Sequence, residues 1–250
     1  MTGRGYKSHR VKYASKILLH MYKKIGILGG LTPESTITYY MHIVHRYYEL
    51  YGDHGYPESI IYGVSFQKYE DWMNNEDWDS IENALLGGLK SLKQAGADFA
   101  VIATNTMHIL FDKLQARIDI PLISIVDATA EAIKKEGFKK VGLIGTQFSM
   151  TKPFYREGLA KHGIEVVTPN KEDQDYIVKV IFEELSIGKI REESREGYLK
   201  IINKLVSKGA EGIVLGCTEI PLLIRQKDTD VKVFDTATVH AEKALQYAIN

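Results

Sequence analysis

Short apolar runs alternate along the chain with longer amphipathic stretches, and this alternation predicts repeated β-α units. Four runs have the length and composition of buried strands, at residues 23–30, 59–66, 99–104 and 120–126. Helical spacing of apolar residues predicts helices over 33–51 and 77–95, after the third run up to Leu114, and from Asp127 onward. Strands and helices in this order indicate an α/β fold with a parallel sheet that is covered on both faces.

The same order of elements repeats in the second half of the chain. KKVGLIGT (139–146) resembles KKIGILGG (23–30), and LVSKGAEGIVLGCTE (205–219) aligns with LKQAGADFAVIATNT (92–106) without a gap. The predicted strand ends VD (126–127) and FD (234–235) continue the series. An ordered set of matches indicates duplication, so we expect two pseudo-symmetric lobes with an active site in the cleft between them.

The repeat also sets the expected domain bounds. The first lobe is predicted to cover 22–125 and to be closed by a C-terminal helix at 236–250, and the second lobe is predicted to cover 126–235. Residues 1–21 are basic and lack the long apolar core of a signal peptide. We expect them to form a flexible extension, or to precede a natural start at Met21.

Composition and charge exclude several classes of function. The chain has 44% hydrophobic and 26% charged residues, with 32 basic side chains balancing 32 acidic ones, so nothing favours nucleic acid or an anionic membrane. No apolar run is long enough to span a bilayer. The single cysteine cannot form an internal disulfide, and no metal-ligand spacing or G-x-G-x-x-G motif is present. We therefore expect a cytoplasmic protein with no metal site and no dinucleotide site.

Two strand ends carry the candidate catalytic residues. Thr104 and Cys217 occupy equivalent places in the repeat, 113 residues apart, and each directly precedes a predicted helix. Facing lobes would bring them to opposite sides of one ligand, as an acid/base reaction on both faces of a carbon requires. Cys217 is followed by Thr218 and Glu219, and a helix start there predicts a lowered thiol pKa. The alternative for Cys217 is a small buried hydrophobic residue.

Several motifs in order resemble the aspartate/glutamate racemase superfamily. They are IGILGGLTPESTITYY, TNTMH, IPLISIVDAT, VGLIGT, IFEEL and GCTEIPLL, and together they span nearly the whole chain from residue 22. The resemblance implies a cofactor-independent enzyme that inverts amino acids at Cα, and a homodimer. In that family two cysteines usually stand where this chain has Thr104 and Cys217. The TNTMH context is similar to a broad-specificity branch, in which Cys217 is the main base on the L face and Thr104 lies opposite.

Polar residues beside the catalytic pair are candidates for binding the amino-acid substrate. Thr side chains and one Asn near helix starts offer donors for an α-carboxylate, although ordinary helix capping remains an equal alternative for Thr106 and Thr218. Glu219 is expected to hold the ammonium group or to orient Cys217. The predicted substrate-binding set is Thr32, Asn105, Thr106, Thr146, Thr218 and Glu219.

Three further residues have predicted roles that do not involve contact with substrate. His108 is expected to be structural, with a proton relay to Thr104 as the alternative. Asp127 and Asp235 are expected to cap helices.

The choice of substrate stays open at the level of sequence. A basic anchor such as Lys171 or Lys179 favours aspartate or glutamate, whereas Tyr176 near the expected position leaves neutral amino acids open. Gln67 and Lys152 are further candidates for the pocket wall.

Two other functions and one interface also remain open from the residues. A decarboxylase with a single cysteine and a non-catalytic amino-acid binder are the alternatives to a racemase. The tyrosine-rich stretch 36–51 is a candidate subunit interface, or else a wide face that packs on the core.

Overall fold

The computed structural model describes residues 22–250, and these residues form two parallel sheets of four strands each. The first sheet has the order β2-β1-β3-β4 and the second the order β6-β5-β7-β8, so the second repeats the first. The strands are β1 Ile25–Gly29, β2 Ser59–Gly63, β3 Phe99–Ile102, β4 Leu122–Ile123, β5 Lys140–Gly145, β6 Glu165–Val167, β7 Gly212–Gly216 and β8 Lys232–Asp235. The predicted α/β class with two pseudo-symmetric sheets is confirmed.

Helices cover both faces of each sheet. They are α1 Pro33–Tyr51, α2 Phe66–Asn74, α3 Trp78–Gln94, α4 Phe111–Gln115, α5 Ile125–Lys135, α6 Gln147–Thr151, α7 Pro153–Lys161, α8 Lys171–Glu183, α9 Glu192–Ser207, α10 Ile220–Leu223 and α11 Thr236–Ile249. Short 3-10 turns occur at Thr106–Leu110, Leu185–Ile187 and Gln226–Asp228. The boundaries follow local chemistry, since Pro33 stands in the first turn of α1 and Asp77 accepts a hydrogen bond from the Ser80 amide at the start of α3.

Each sheet separates two hydrophobic cores. Neighbouring residues of a strand point to opposite faces, so Ile27 packs with α1 and α11 whereas Leu28 packs with α3. In the second sheet Val214 packs with α5 and α7 and Leu215 packs with α8 and α9. Because both faces are covered, β1 and β7 are buried along their whole length.

The fourth strand and the helix after it differ from the prediction. Only Leu122–Ile123 forms β4, and α5 already begins at Ile125 because the Ser124 side chain accepts the Asp127 amide at 3.1 Å. The predicted strand end at 126–127 is therefore wrong, since both residues lie in the helix. Asp127 does not cap a helix but bonds His162 at 2.8 Å, whereas Asp235 caps α11 as predicted.

The C-terminal helix α11 leaves the second sheet and packs on the first. Its alanines lie in one buried cluster with Ile27 and Tyr39, and the Tyr39 hydroxyl bonds His240 Nδ1 at 2.7 Å. The predicted boundary between the two lobes, after residue 125, stays a prediction. The predicted extension 1–21 and the start at Met21 lie outside the described residues.

No helix within residues 22–250 combines the length and the apolar character needed to cross a bilayer.

A chain of buried hydrogen bonds joins the two sheets, and we refer to it as the inter-lobe clasp. The Tyr155 hydroxyl donates to Asn105 Oδ1 at 2.5 Å, and the Asn105 amide donates to Thr236 Oγ1 at 3.0 Å. Thr236 in turn donates to the Leu215 carbonyl at 2.8 Å. All the side chains in the clasp are buried, so each of these bonds replaces hydration that was lost on folding.

We expect Tyr155→Phe to lower the free energy of unfolding by roughly 1–3 kcal/mol, because it leaves the buried Asn105 oxygen without its donor. Urea titration measures the change. Tyr40→Phe, at an exposed tyrosine, is the matched control and should unfold like the wild type. Equal free energies of unfolding for the two variants would contradict the claim that the clasp stabilises the fold.

Candidate active site

The carboxyl ends of β1, β3, β5 and β7 meet at one cavity of about 430 Å³. The predicted catalytic pair and the whole predicted substrate-binding set line it: Thr32, Thr104, Asn105, Thr106, Thr146, Cys217, Thr218 and Glu219. Each of the two lobes contributes half of this set, because the loops after equivalent strands face each other. The structure thus brings together residues that lie far apart in the sequence.

Two glycines allow the loops around the cavity to approach closely. Gly30 has a φ of +84°, and a Cβ there would lie 2.4 Å from the Val64 carbonyl oxygen. A Cβ on Gly145 would lie 2.6 Å from the Gly216 carbonyl oxygen. Without side chains at these positions, the loops that carry Thr32 and Thr146 can close on the cavity.

Cys217 lies against a buried carboxylate. Its thiol donates to Glu219 Oε2 at 2.8 Å, and both side chains are buried. The Thr32 hydroxyl of the first lobe donates to Glu219 Oε1 at 2.5 Å, and the Thr218 hydroxyl lies 3.1 Å from both oxygens. The carboxylate therefore has a fixed orientation, in which Oε2 accepts the hydrogen bond from the sulfur.

The predicted lowering of the thiol pKa is wrong. Burial raises the pKa of Cys217 well above its ordinary value, and the negative charge and hydrogen bond of Glu219 raise it further. The backbone amides of Thr218 and Glu219 lower this pKa by less, since only the short α10 follows them. The sulfur is consequently a thiol at neutral pH.

His108 holds the backbone of Thr104. Its Nδ1 lies 2.8 Å from the Thr104 carbonyl oxygen, and its Nε2 accepts the Ile125 amide at 3.1 Å. Nδ1 must then carry the proton, and burial lowers the pKa of His108 to about 4, so the ring is neutral. Both nitrogens are engaged with backbone groups, which supports the structural role and opposes the relay.

The remaining threonines and Asn105 take different positions around the cavity. Thr106 Oγ1 and Thr146 Oγ1 lie 3.2 Å apart across the lobes, and Thr146 also accepts the Ser149 amide as the cap of α6. Asn105 lines the cavity, but its amide belongs to the inter-lobe clasp. Thr106 and Thr146 are therefore better placed than Asn105 to bind a ligand through their side chains.

Part of the cavity wall was not predicted. Helix α2 supplies Phe66, Glu70, Met73 and Asn74, and α6 and α8 supply further apolar side chains. The helical spacing of FQKYEDWMN was the available signal, but the strand prediction over 59–66 overlapped its start.

The basic residues considered for the pocket lie elsewhere. Lys171 pairs with Asp175 at 2.5 Å, and Lys179 is exposed on α8. Tyr176 packs against Gly197 and Tyr198 rather than into the cavity. Gln67 and Lys152 are exposed and do not line it either, so their suggested place in the wall is wrong.

Within residues 22–250, no three His, Cys, Asp or Glu side chains are grouped so that they could hold an ion.

Comparison with known proteins places this geometry in a family. The family profile described as Asp/Glu/Hydantoin racemase matches residues 28–244. The chain belongs to this family. The match includes strands β2 to β8, the end of β1 and every residue that lines the cavity.

Relatives of known name and structure agree with this membership. The broad specificity amino-acid racemase RacX of Bacillus subtilis (strain 168) is 24% identical over 224 residues, which cover 88% of this chain and 96% of RacX. An aspartate racemase homologue from Pyrococcus horikoshii OT3 superposes with a TM-score of 0.81 at 42% identity, covering 91% of this chain and 100% of that one. The Picrophilus torridus aspartate racemase gives a TM-score of 0.75 at 27% identity, with 90% and 94% covered.

We expect Glu219→Gln to lower the pKa of the Cys217 thiol, because an amide removes the negative charge that opposes thiolate formation. The rate of alkylation by iodoacetamide, followed by mass spectrometry across pH, measures this at the single cysteine. Glu70→Gln is the matched control, since Glu70 lines the cavity without a hydrogen bond to the sulfur. A profile for Glu219→Gln that moves to higher pH would overturn the assignment.

Two buried neutral histidines should make the fold sensitive to acid. Burial lowers the pKa of His108 to about 4 and that of His240 to about 3, against about 6.5 in an unfolded chain. Below pH 6.5 the unfolded state therefore binds more protons, and the free energy of unfolding falls by up to ~1.4 kcal/mol per pH unit for each histidine.

Urea unfolding between pH 7 and 5 tests this, above the range in which most carboxylates titrate. His240→Gln should show a shallower dependence on pH than the wild type, whereas His45→Asn at an exposed site should keep the full slope. A wild-type stability that is flat over this range would refute the assignment of neutral buried rings.

Proposed function

We propose that the protein is an amino-acid racemase that inverts Cα by two-base proton transfer without pyridoxal phosphate or another cofactor. The observation that carries the proposal is the Cys217 thiol bonded to Glu219 in a cavity that also contains Thr104. Membership of the racemase family supplies the reaction class. Without a cofactor, the side chains themselves must supply the base, the acid and the donors that stabilise the carbanion.

The L enantiomer loses its Cα proton to Cys217. Glu219 accepts the thiol proton through the existing 2.8 Å hydrogen bond, and the resulting thiolate abstracts the proton from carbon. Thr32 holds the carboxylate in place during this transfer. A raised thiol pKa suits the step, because a more basic thiolate is the stronger base toward a weak carbon acid.

The α-carboxylate of the substrate is bound by hydroxyl donors from both lobes. The Thr106 and Thr146 hydroxyls lie 3.2 Å apart, together in the cavity wall, and Thr218 lies beside the reacting thiol. These donors stabilise the charge that moves onto the carboxylate when Cα loses its proton. The negative Glu219 attracts the substrate ammonium group to the same end of the cavity.

Thr104 delivers a proton to the opposite face. An alcohol ionises about 7 pKa units above a thiol, which makes Thr104 about 10 kcal/mol worse than cysteine as a preformed base. It acts as a donor to a strongly basic carbanion. Between turnovers, exchange with water returns a proton to Thr104 and removes the proton held by Glu219. Racemisation is therefore slow. The value of kcat/KM is equally low in both directions, because free enantiomers have equal energy in water.

The predicted homodimer and cytoplasmic location belong to the same proposal. Helix α1 leaves large apolar side chains exposed, among them Ile37 at 62% and Tyr48 at 51%. Exposed apolar and tyrosine side chains on one helix are typical of a subunit interface.

We expect Cys217→Ala to lose Cα exchange by at least ~100-fold, because the base on the L face is gone. Incorporation of solvent deuterium into L-aspartate, L-glutamate and neutral L-amino acids measures it. Thr104→Ala should still exchange the L enantiomer while forming little of the D enantiomer, since only the opposite donor is missing. Thr104→Cys should form the D enantiomer faster than the wild type.

Thr229→Ala, in the loop before β8 and outside the cavity lining, is the control for the threonine variants and should leave both rates unchanged. Urea unfolding confirms that each variant is folded before its rates are compared. A folded wild type that exchanges no amino acid at Cα would end the proposal.

A further inference from the structure

The part of the cavity beyond the reacting groups has an apolar wall. Three helices contribute to it, α2 and α8 from opposite lobes and the short α6 between them. Its large side chains are Phe66, Met73, Phe148, Val178, Ile181 and Phe182. A wall of this kind stabilises a ligand by removing apolar surface from water, and the polar side chains that line the cavity beside it, Asn74, Gln147 and Ser186, carry no charge.

The charged groups of the cavity are acidic. Among the described residues that line it, the ionisable carboxylates are Glu70 and Glu219, and no lysine, arginine or histidine is present. Glu219 is engaged at the reacting end, with Cys217, Thr32 and Thr218. Glu70 lies on α2 beside Phe66 and Met73, so it faces the region that a substrate side chain would enter.

A carboxylate in the substrate side chain would meet two penalties in this region. It would lose hydration against an apolar wall without gaining a cation, and it would lie near the negative charge of Glu70. An uncharged apolar side chain meets neither penalty and gains from burial against the same wall. The geometry therefore discriminates against the acidic amino acids.

We propose, on the basis of the proposed function, that the substrate is an α-amino acid with an uncharged apolar side chain, of the class of leucine, methionine and phenylalanine. Glu70 is a specificity-determining residue that excludes acidic side chains. The substrate side chain packs between α2 and α8, and its α-carboxylate and ammonium groups lie at the polar end with Cys217 and Glu219.

The first test compares Cα deuterium exchange by the wild type. We expect kcat/KM for the best of L-leucine, L-methionine and L-phenylalanine to exceed that for L-aspartate and L-glutamate by at least about tenfold, the range that side-chain complementarity provides. A preference for either acidic amino acid would overturn the inference and leave the proposed function intact.

The second test changes the charge of the wall. Glu70→Lys should raise the ratio of kcat/KM for L-glutamate to that for L-leucine by about tenfold or more, because it puts a cation where the anion stood. Asp71→Lys is the matched control, since it makes the same change of charge on the next residue of α2 and outside the cavity lining. Equal shifts in the two variants would show that Glu70 does not determine specificity.

Binding separates the two hypotheses. Calorimetry with folded Cys217→Ala should show L-leucine, L-methionine or L-phenylalanine binding more tightly than L-glutamate. Tight binding of apolar amino acids together with no exchange in the wild type would end the proposed function and keep the specificity. Tighter binding of L-glutamate, or no binding of any apolar amino acid, would end the specificity inference whatever the rates.

Discussion

The proposed chemistry of this protein depends on one buried hydrogen bond, between the Cys217 thiol and the Glu219 carboxylate. Burial and the adjacent negative charge both oppose ionisation of the sulfur, so the pKa of Cys217 is raised. In the proposed mechanism the same carboxylate accepts the proton that the sulfur loses. The resting pair is thus a neutral thiol and a carboxylate, and the thiolate forms only when the proton moves to Glu219. Thr32 of the other lobe holds the carboxylate in position through its hydrogen bond.

Polar contacts between the lobes keep the reacting groups in register. Thr32 reaches Glu219, Thr106 faces Thr146, and the inter-lobe clasp joins Asn105 to Tyr155 and Thr236. A buried polar contact is costly when one partner is missing, so these bonds favour a single relative position of the two sheets. Helix α11 adds an apolar contact between the two sheets, because it follows the last strand of the second sheet and packs on the first.

The two halves of the repeat are alike in backbone and different in chemistry. Thr104 and Cys217 end equivalent strands, and the residue two positions on is Thr106 in one lobe and Glu219 in the other. Only the second lobe therefore provides a carboxylate that can accept a proton from its reacting residue. In the first lobe His108 stabilises the backbone of Thr104 and stays neutral, which suits a group that donates a proton rather than one that takes it.

The repeat and the pattern of apolar runs determined the fold class and the succession of strands and helices. They also determined that the predicted catalytic and binding residues meet at one cavity, because parallel strands place their carboxyl ends along one edge. Local sequence patterns could not decide where α5 begins. The Ser124 side chain accepts the Asp127 amide only when the backbone between them has adopted the helical turn. The pKa of Cys217 was also out of reach, because adjacent backbone amides favour the thiolate whereas burial and the folded position of Glu219 oppose it. The apolar cavity wall and the position of Glu70 within it also depended on the tertiary structure. Helices α2, α6 and α8 are separate in the chain and meet only when the two sheets pack together.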